Sequence, residues 1–419
     1  MTKTLQADII EHIRTQDEEV ADLIQSEVHR EDHTIRLIAS ENYASQAVMM
    51  ATGSIFTNKY CEGYAGKRYY LGQEFTDKLE VLTIERARAL FGAEHVNVQP
   101  YSGSPANLAT FLALAAPGSK TLGLDLPHGG HLTHGWKVSF SGKLFDASHY
   151  QVDRQTERID YDKVRQQAME LRPEILICGA SAYPRTIDFE AFGSIARDCG
   201  ARLVSDIAHI SGLVAAGVHP SPVPHSDVVT TTTHKTLRGP RSGMIMCKQE
   251  HAKAIDRAVF PGMQGGPHMH AVAALAVALK EAATEDFVRY AKQIILNAQA
   301  MAEEFESLGY RVVSGGTDNH IVLVDLTPKD IGGKPASIAM ERAGIVCNYN
   351  TIPYDTRKPF DPSGIRIGTA AITTRGMMEQ DARQIARWTD QAINAREDDA
   401  ALLKIAGEVK AFTADFPTP

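Results

Sequence analysis

Between residue 96 and about residue 285, short apolar runs alternate with longer amphipathic stretches, and this rhythm is the main structural signal in the chain. The runs fall at 96–99, 120–124, 143–147, 175–178, 203–205, 227–233 and 244–247. They are too short for helices and several are rich in β-branched residues, which predicts strands. Helical patterns at 106–115, 161–170 and 189–199 separate several of them, and another at 77–91 ends at Gly92. Such alternation predicts an α/β fold whose mostly parallel sheet is covered by helices on both faces. Upstream, Ile9, Ile10, Ile13, Val20, Leu23, Ile24 and Val28 recur at helical spacing within 5–36, predicting one or two helices that pack outward, on a partner subunit. Downstream, the Gly/Pro-rich segment 260–267 leads into one long helical stretch, 268–308, and then a smaller α+β unit. The expected division is an N-terminal helical arm, 1–36, a large domain, 37–285, and a small C-terminal domain, 286–419.

At 419 residues the chain exceeds the size, roughly 250 to 300 residues, at which one hydrophobic core stops growing. A net charge of −8 argues against non-specific nucleic-acid binding, so any anionic ligand must be met by a local basic cluster. The five cysteines, Cys61, Cys178, Cys199, Cys247 and Cys347, are scattered without a C-x-x-C pair. That pattern suits a reducing compartment, and a cytoplasmic protein is expected. The N-terminus carries no apolar signal region and no apolar run approaches a membrane span.

The candidate chemistry lies at the ends of two of the runs. The segment 202–206 ends in Asp206, as a buried parallel strand delivers a functional acid to its C-terminal edge, and His209 follows. The run 227–233 is followed directly by His234 and Lys235. Singly, the Lys could be a solvated charge and the Asp a helix cap. Together, an amine that condenses with an aldehyde and a carboxylate that keeps a pyridine nitrogen protonated are the two groups pyridoxal phosphate requires. Ser102-Gly103-Ser104-Pro105-Ala106-Asn107 lies between a strand and a helix, where backbone N–H groups favour an anion, although the same residues make an ordinary N-cap. His128, His131 and His134 invite a zinc reading, but a Gly-interrupted loop lacks the helical geometry of the strong zinc motif, and no metal is expected. The alternative is a flat imidazole laid on a flat ring. Arg366 alternates with apolar residues and needs an anion on its own face, from a salt bridge or a ligand. Glu62 sits in a Gly- and Tyr-rich run, 58–70, too polar for core and too aromatic for a linker.

The stretch Thr230-Thr231-Thr232-Thr233-His234-Lys235-Thr236-Leu237-Arg238-Gly239-Pro240-Arg241 resembles, almost letter for letter, the cofactor-lysine motif of the serine hydroxymethyltransferases. The resemblance runs from about Leu37 to Thr374. It implies a fold-type-I, aspartate-aminotransferase-like enzyme that moves the hydroxymethyl carbon of L-serine to tetrahydrofolate, with pyridoxal phosphate as a Schiff base on Lys235. It further implies that Ser102, Gly103 and Ser104 bind the cofactor phosphate. Tyr60, Gly265 and Gly266 would reach that phosphate from the other subunit of a homodimer. His131 would stack on the ring, Ser181 would lie near its hydroxyl with His209 adjacent, and Asp206 would pair with its nitrogen. Arg366 and Ser40 would hold the substrate carboxylate, Glu62 would serve as acid and base, and Tyr70, Thr232 and His234 would stand at the reacting centre. Tyr69, Leu126, Gly130, Leu132, Asn350, Lys358, Pro359 and Phe360 would face the folate. The sequence departs from the family pattern at Ala370, where many relatives have Pro, and at Tyr349, where a Lys often stands and would help hold a polyglutamate tail. A folate-independent aldolase acting on threonine or other β-hydroxy amino acids is the competing activity, and a pyridoxal-phosphate-binding regulator without turnover is the competing class.

Overall fold

A computed structural model describes residues 2–419, with side chains from residue 7 onward. Seven strands form the large sheet: β1 His95–Asn97, β2 Lys120–Leu124, β3 Asp146–Tyr150, β4 Ile175–Gly179, β5 Arg202–Asp206, β6 Val228–Thr232 and β7 Gly243–Cys247. Their order is 1-7-6-5-4-2-3, and only β7 runs against the others. Strands β4, β6 and β7 are buried at every residue, as a sheet covered on both faces requires. Side chains alternate between two cores. Leu176 and Cys178 pack on one side of β4, Ile175 and Ile177 on the other.

A second sheet of four antiparallel strands forms the small unit, in the order β8 Arg311–Val312, β9 Ile321–Asp325, β11 Gly364–Gly368, β10 Asn348–Asn350. Ile365 and Ile367 of β11 join its core, which sends Arg366 to the opposite face.

Most expected elements form. The helix at 189–199 is Phe189–Cys199, whose N-cap Asp188 accepts from Ala191 N. Glu74–Phe91 ends on Gly92 at φ 70°, a left-handed conformation that favours glycine. Two expectations are corrected. Residues 143–147 do not form one strand: Phe140 and Leu144, four apart, lie in the helix Phe140–Leu144, and β3 begins at Asp146, opposite Lys120. Nor is 268–308 one helix. Thr284 takes an extended conformation, its hydroxyl accepts from Phe287 N, and the stretch divides into Met269–Ala282 and Glu285–Ser307.

The N-terminal helices are Thr2–Arg14 and Glu18–His33. The second packs on the C-terminal helix Asp399–Thr413 of the same chain rather than standing free. Ile35 and Arg36 then pair in parallel with Ile345 and Val346, and Ile35 and Leu37 enter the small unit's core. Arg375 holds the junction, donating to the carbonyls of Glu31, Asp32, Thr34, Thr413 and Phe416. Among the described residues no helix is long and apolar enough to cross a membrane, and all five cysteines are free.

Candidate active site

A cavity of about 570 Å³ opens at the C-terminal edge of the large sheet, lined by β5, β6 and the turns after β1, β2 and β4. Arg366 of β11 reaches it from the small unit. This is where open α/β sheets place ligands, because the strand ends leave backbone and side-chain groups uncovered there.

Lys235 lies three residues past β6, and its backbone is tied on both sides. Asn42 Nδ2 and Arg238 N donate to its carbonyl at 2.9 and 3.1 Å, and the turn closes with Gly239 N on Thr233 O at 2.6 Å. The side chain is buried, yet among the described residues no carboxylate lies within ion-pair distance of its Nζ. Burial therefore pushes the ammonium down to about 8, against the pull of Asp206 and with the help of Arg366 and Arg241. A lysine brought this close to neutrality is a nucleophile as well as a charge.

Asp206 ends β5. Its Oδ2 accepts from Asn107 Nδ2 at 2.9 Å and from His134 Nε2 at 3.1 Å, and its Oδ1 from Ala208 N at 3.0 Å. Burial alone would raise this carboxyl, but the hydrogen bonds from His134 and Asn107 hold it well below the usual range. Asn107 Nδ2 also donates to Thr133 Oγ1 at 2.8 Å, and Thr133 meets His131 Nδ1 through its hydroxyl at 2.7 Å and its backbone N–H at 3.2 Å. Burial pushes His131 down to about 4, with His134 adding to the effect, so the ring over the cavity is neutral. His131, His134 and Asp206 bring donor atoms within 4.8 Å of one another, but these hydrogen bonds already use His131 Nδ1 and His134 Nε2.

At the other end, Ser102, Gly103 and Ser104 open the helix Gly103–Leu114. The Ser102 hydroxyl makes no cap, which leaves the first N–H groups of the helix available to an anion. A Cβ on Gly103 would come within 2.7 Å of the Thr232 methyl, so the loop can approach β6 only as glycine. Arg366 donates to Ser181 O at 2.7 Å and to Asn348 Oδ1 at 3.1 Å, but has no carboxylate partner among the described residues, and burial pushes it down to about 10. His209 lies against His320, Nδ1 to Nε2 at 3.4 Å, with burial holding it neutral. His234 is pushed down to about 3 by burial and by Arg241 and Lys235, and its Nδ1 has no partner.

Ser40, Leu126, Gly130, Leu132, Ser181, Thr232, Asn350 and Pro359 also line the cavity. Lys358 and Phe360 flank Pro359 but are exposed, the ammonium 5.8 Å from the ring, and do not line it. Nor do Tyr60, Glu62, Tyr69, Tyr70, Gly265 or Gly266, which gather elsewhere on the same chain. There Tyr60 and Tyr70 hydroxyls donate to Glu62 Oε1 and Oε2 at 3.3 and 3.1 Å, Gly265 and Gly266 pack on Tyr60, and the Tyr69 ring lies 5.6 Å from Phe260. Arg68 anchors this loop through Asp77, Glu80 and the carbonyls of Cys61 and Gly63.

The family model for serine hydroxymethyltransferase matches residues 13–389. Curated proteins of that name are similar along nearly the whole chain. One from Sorangium cellulosum is 59% identical over 403 residues, covering 96% of this chain and 95% of its own. Another from Acidothermus cellulolyticus is 57% identical over 409 residues, covering 96% of each. A third from Desulfotalea psychrophila is 56% identical over 419 residues, covering 100% of this chain and 98% of its own. The chain belongs to the serine hydroxymethyltransferase family. Enzymes of this family have the fold-type-I architecture, depend on pyridoxal phosphate and use tetrahydrofolate as co-substrate. The cavity fits that cofactor on its own donor set: a lysine amine near neutrality, an ionised aspartate, an uncapped helix N-terminus for a phosphate and a neutral imidazole beside them.

Sequence reasoning left several lining residues without a role, among them Asn107, His134, Arg241 and Tyr349. Asn107 had a usable signal, since it lies four residues after Gly103 and shares that helix face. For His134, Arg241 and Tyr349 the reason is tertiary, because each reaches the cavity only through the packing of separate loops.

Proposed function

We propose that this serine hydroxymethyltransferase interconverts L-serine plus tetrahydrofolate with glycine plus 5,10-methylenetetrahydrofolate in the cavity beside Lys235. The observation that carries the reading is the convergence of Lys235, Asp206 and Arg366 on one cavity from three separate segments of the chain. Bound there, pyridoxal phosphate supplies an aldehyde for the substrate amine and a ring that accepts electrons from the bond being broken.

In this reading Lys235 Nζ would hold the cofactor, and its lowered affinity for a proton makes the nucleophilic amine accessible near neutral pH. Asp206 holds the proton on the ring nitrogen. Ser102, Gly103 and Ser104 bind the phosphate through N–H and hydroxyl groups. His131, kept neutral, would lie against the ring, with Ser181, His209, Thr232 and His234 lining the same cavity. Arg366, helped by Ser40, clamps the serine carboxylate, and Ser181 O and Asn348 fix the guanidinium plane. That clamp would fix the orientation of serine in the cavity and so decide which of its bonds is presented for cleavage. Leu126, Gly130, Leu132, Asn350 and Pro359 offer a face for the flat part of folate, with Lys358 and Phe360 at its exposed margin.

A proton must also move at the serine hydroxyl. Asp206 is the only carboxylate lining the cavity among the described residues, and in this reading it is committed to the ring nitrogen. Glu62, hydrogen-bonded to Tyr60 and Tyr70, suits that task but lies outside its own chain's cavity. The arrangement is complete if two copies exchange these loops, with Gly265 and Gly266 beside Tyr60 at the partner's phosphate end. Exposed Ile55, Leu71 and Phe75 near this loop support a homodimer interface there. The organisation that follows is a large cofactor-binding domain, 37–285, a small domain, 286–419, and an arm, 1–36, docked on the latter. A free thiol set supports a cytoplasmic setting.

Purified protein supplied with pyridoxal phosphate should form glycine from serine at a rate that depends on added tetrahydrofolate, with 5,10-methylenetetrahydrofolate as the second product. Threonine cleavage faster than serine turnover and indifferent to folate would instead make the chain an aldolase.

A further inference from the structure

Of the three histidines in the loop after β2, His131 belongs to the cavity face, and the ring of His128 packs edge-on to Tyr354 with a centroid distance of 4.6 Å. His134 touches Asp206 instead. We infer that His134 is a positioning residue: a neutral hydrogen-bond donor, locked in one tautomer, that fixes the Asp206 carboxylate so that Oδ1 faces the cofactor's ring nitrogen. This inference rests on the pyridoxal phosphate reading of the cavity.

The tautomer follows from the two bonds His134 makes. The backbone N–H of His131 points at His134 Nδ1 at 3.2 Å, so that nitrogen must offer a lone pair. The proton therefore sits on Nε2, which faces Asp206 Oδ2 at 3.1 Å. Protonating the ring would set an Nδ1–H against the His131 N–H in a site where the His134 side chain is 1% exposed. His134 thus gives Asp206 a dipole and leaves its full negative charge to be matched by something else.

The carboxylate's own bonds say where that partner sits. Oδ2 accepts two donors, Asn107 Nδ2 and His134 Nε2, while Oδ1 accepts only Ala208 N and keeps a lone pair free. Asn107 is itself oriented by Thr230, whose hydroxyl donates to Asn107 Oδ1 at 2.6 Å. The titratable groups facing Asp206 are His131 and His134 from the loop after β2, Cys178 from β4 and Lys235 from the turn after β6. Lys235, the one amine among them, is the group that a substrate amine would displace. A cationic ring nitrogen would be the counter-charge that stays, and His134 holds the acceptor it would need.

Two substitutions separate this role from packing. In His134→Asn the amide oxygen can replace Nδ1 opposite the His131 N–H, but nothing reaches Asp206. In His134→Gln the amide nitrogen can replace Nε2, but the Nδ1 acceptor is lost. The measurements are pyridoxal phosphate affinity of the cofactor-free protein and the ¹⁵N shift of ring-labelled cofactor bound to it. The expected result is roughly tenfold weaker binding with a shift toward the unprotonated pyridine in His134→Asn, and values near wild type in His134→Gln. Wild-type values in His134→Asn, equal losses in both variants, or an asparagine variant that does not fold would each overturn the proposal. Failure of the wild-type protein to bind pyridoxal phosphate at all would overturn the cavity reading itself.

Discussion

At the residue scale the site depends on charges held where water cannot balance them. Lys235 is the clearest case, an amine whose ammonium form burial disfavours. Only the neutral amine attacks an aldehyde, so the sign follows directly: below about 8 the reactive fraction falls with each proton gained, and above it the fraction saturates. Stopped-flow uptake of pyridoxal phosphate by cofactor-free protein should therefore rise about tenfold per pH unit up to that point and then flatten. A rise continuing toward the pH of an ordinary lysine would mean the side chain is solvated. Arg366 presents the complementary case, a guanidinium with neutral acceptors but no anion of its own. Arg366→Ala should raise the serine KM by roughly a hundredfold or more, since a charge pair desolvated in the complex is lost, while cofactor affinity stays unchanged. An unaltered KM would place the carboxylate clamp elsewhere.

The element scale explains how such residues are delivered. Parallel strands end in a common plane, so Asp206 after β5 and Lys235 after β6 arrive side by side although 29 positions separate them in the chain. The Ser102–Ser104 turn joins them only because Gly103 lets it close on Thr232. Gly103→Ala should overpack that contact at a cost of about 1–3 kcal/mol. The loss should appear as weaker pyridoxal phosphate binding in equilibrium titration rather than as unfolding, and unchanged affinity would show that the turn has slack. Legibility in the sequence follows the same physics. Phe189–Cys199 and β4 to β7 could be read from local pattern because caps and β-branched runs are local signals. The break at Thr284 was hidden, since the apolar spacing runs through it and only the Thr-Glu-Asp of a new N-terminus betrays it. Residues 143–147 misled because Leu144 is an exposed residue of a short helix, whereas Phe145 is buried against Phe111. At the site, Lys235 and Asp206 carried their own chemical signature, whereas His134 became meaningful only once folding brought it to Asp206.

On the scale of the whole molecule, the two units meet at the cavity through Arg366 on Ser181, and again through Arg311 on Glu157 and Arg185 on Asp318. The proposed substrate clamp and the proposed cofactor site are thereby held in register by the same interface. Yet one chain does not gather every proposed group, because Glu62 and Tyr70 stay outside its cavity. If two copies share their sites, Glu62→Gln and Lys235→Ala homodimers should each be inactive. Refolded together they should recover about a quarter of wild-type activity, since half the dimers are mixed and each has one intact site. No recovery would confine each site to a single chain.

The most direct test of the central assignment is chemical. Holoenzyme reduced with borohydride and digested should carry pyridoxyl phosphate on the peptide containing Lys235 and on no other lysine. An adduct at a different lysine, or none in protein that still turns serine into glycine, would contradict the account.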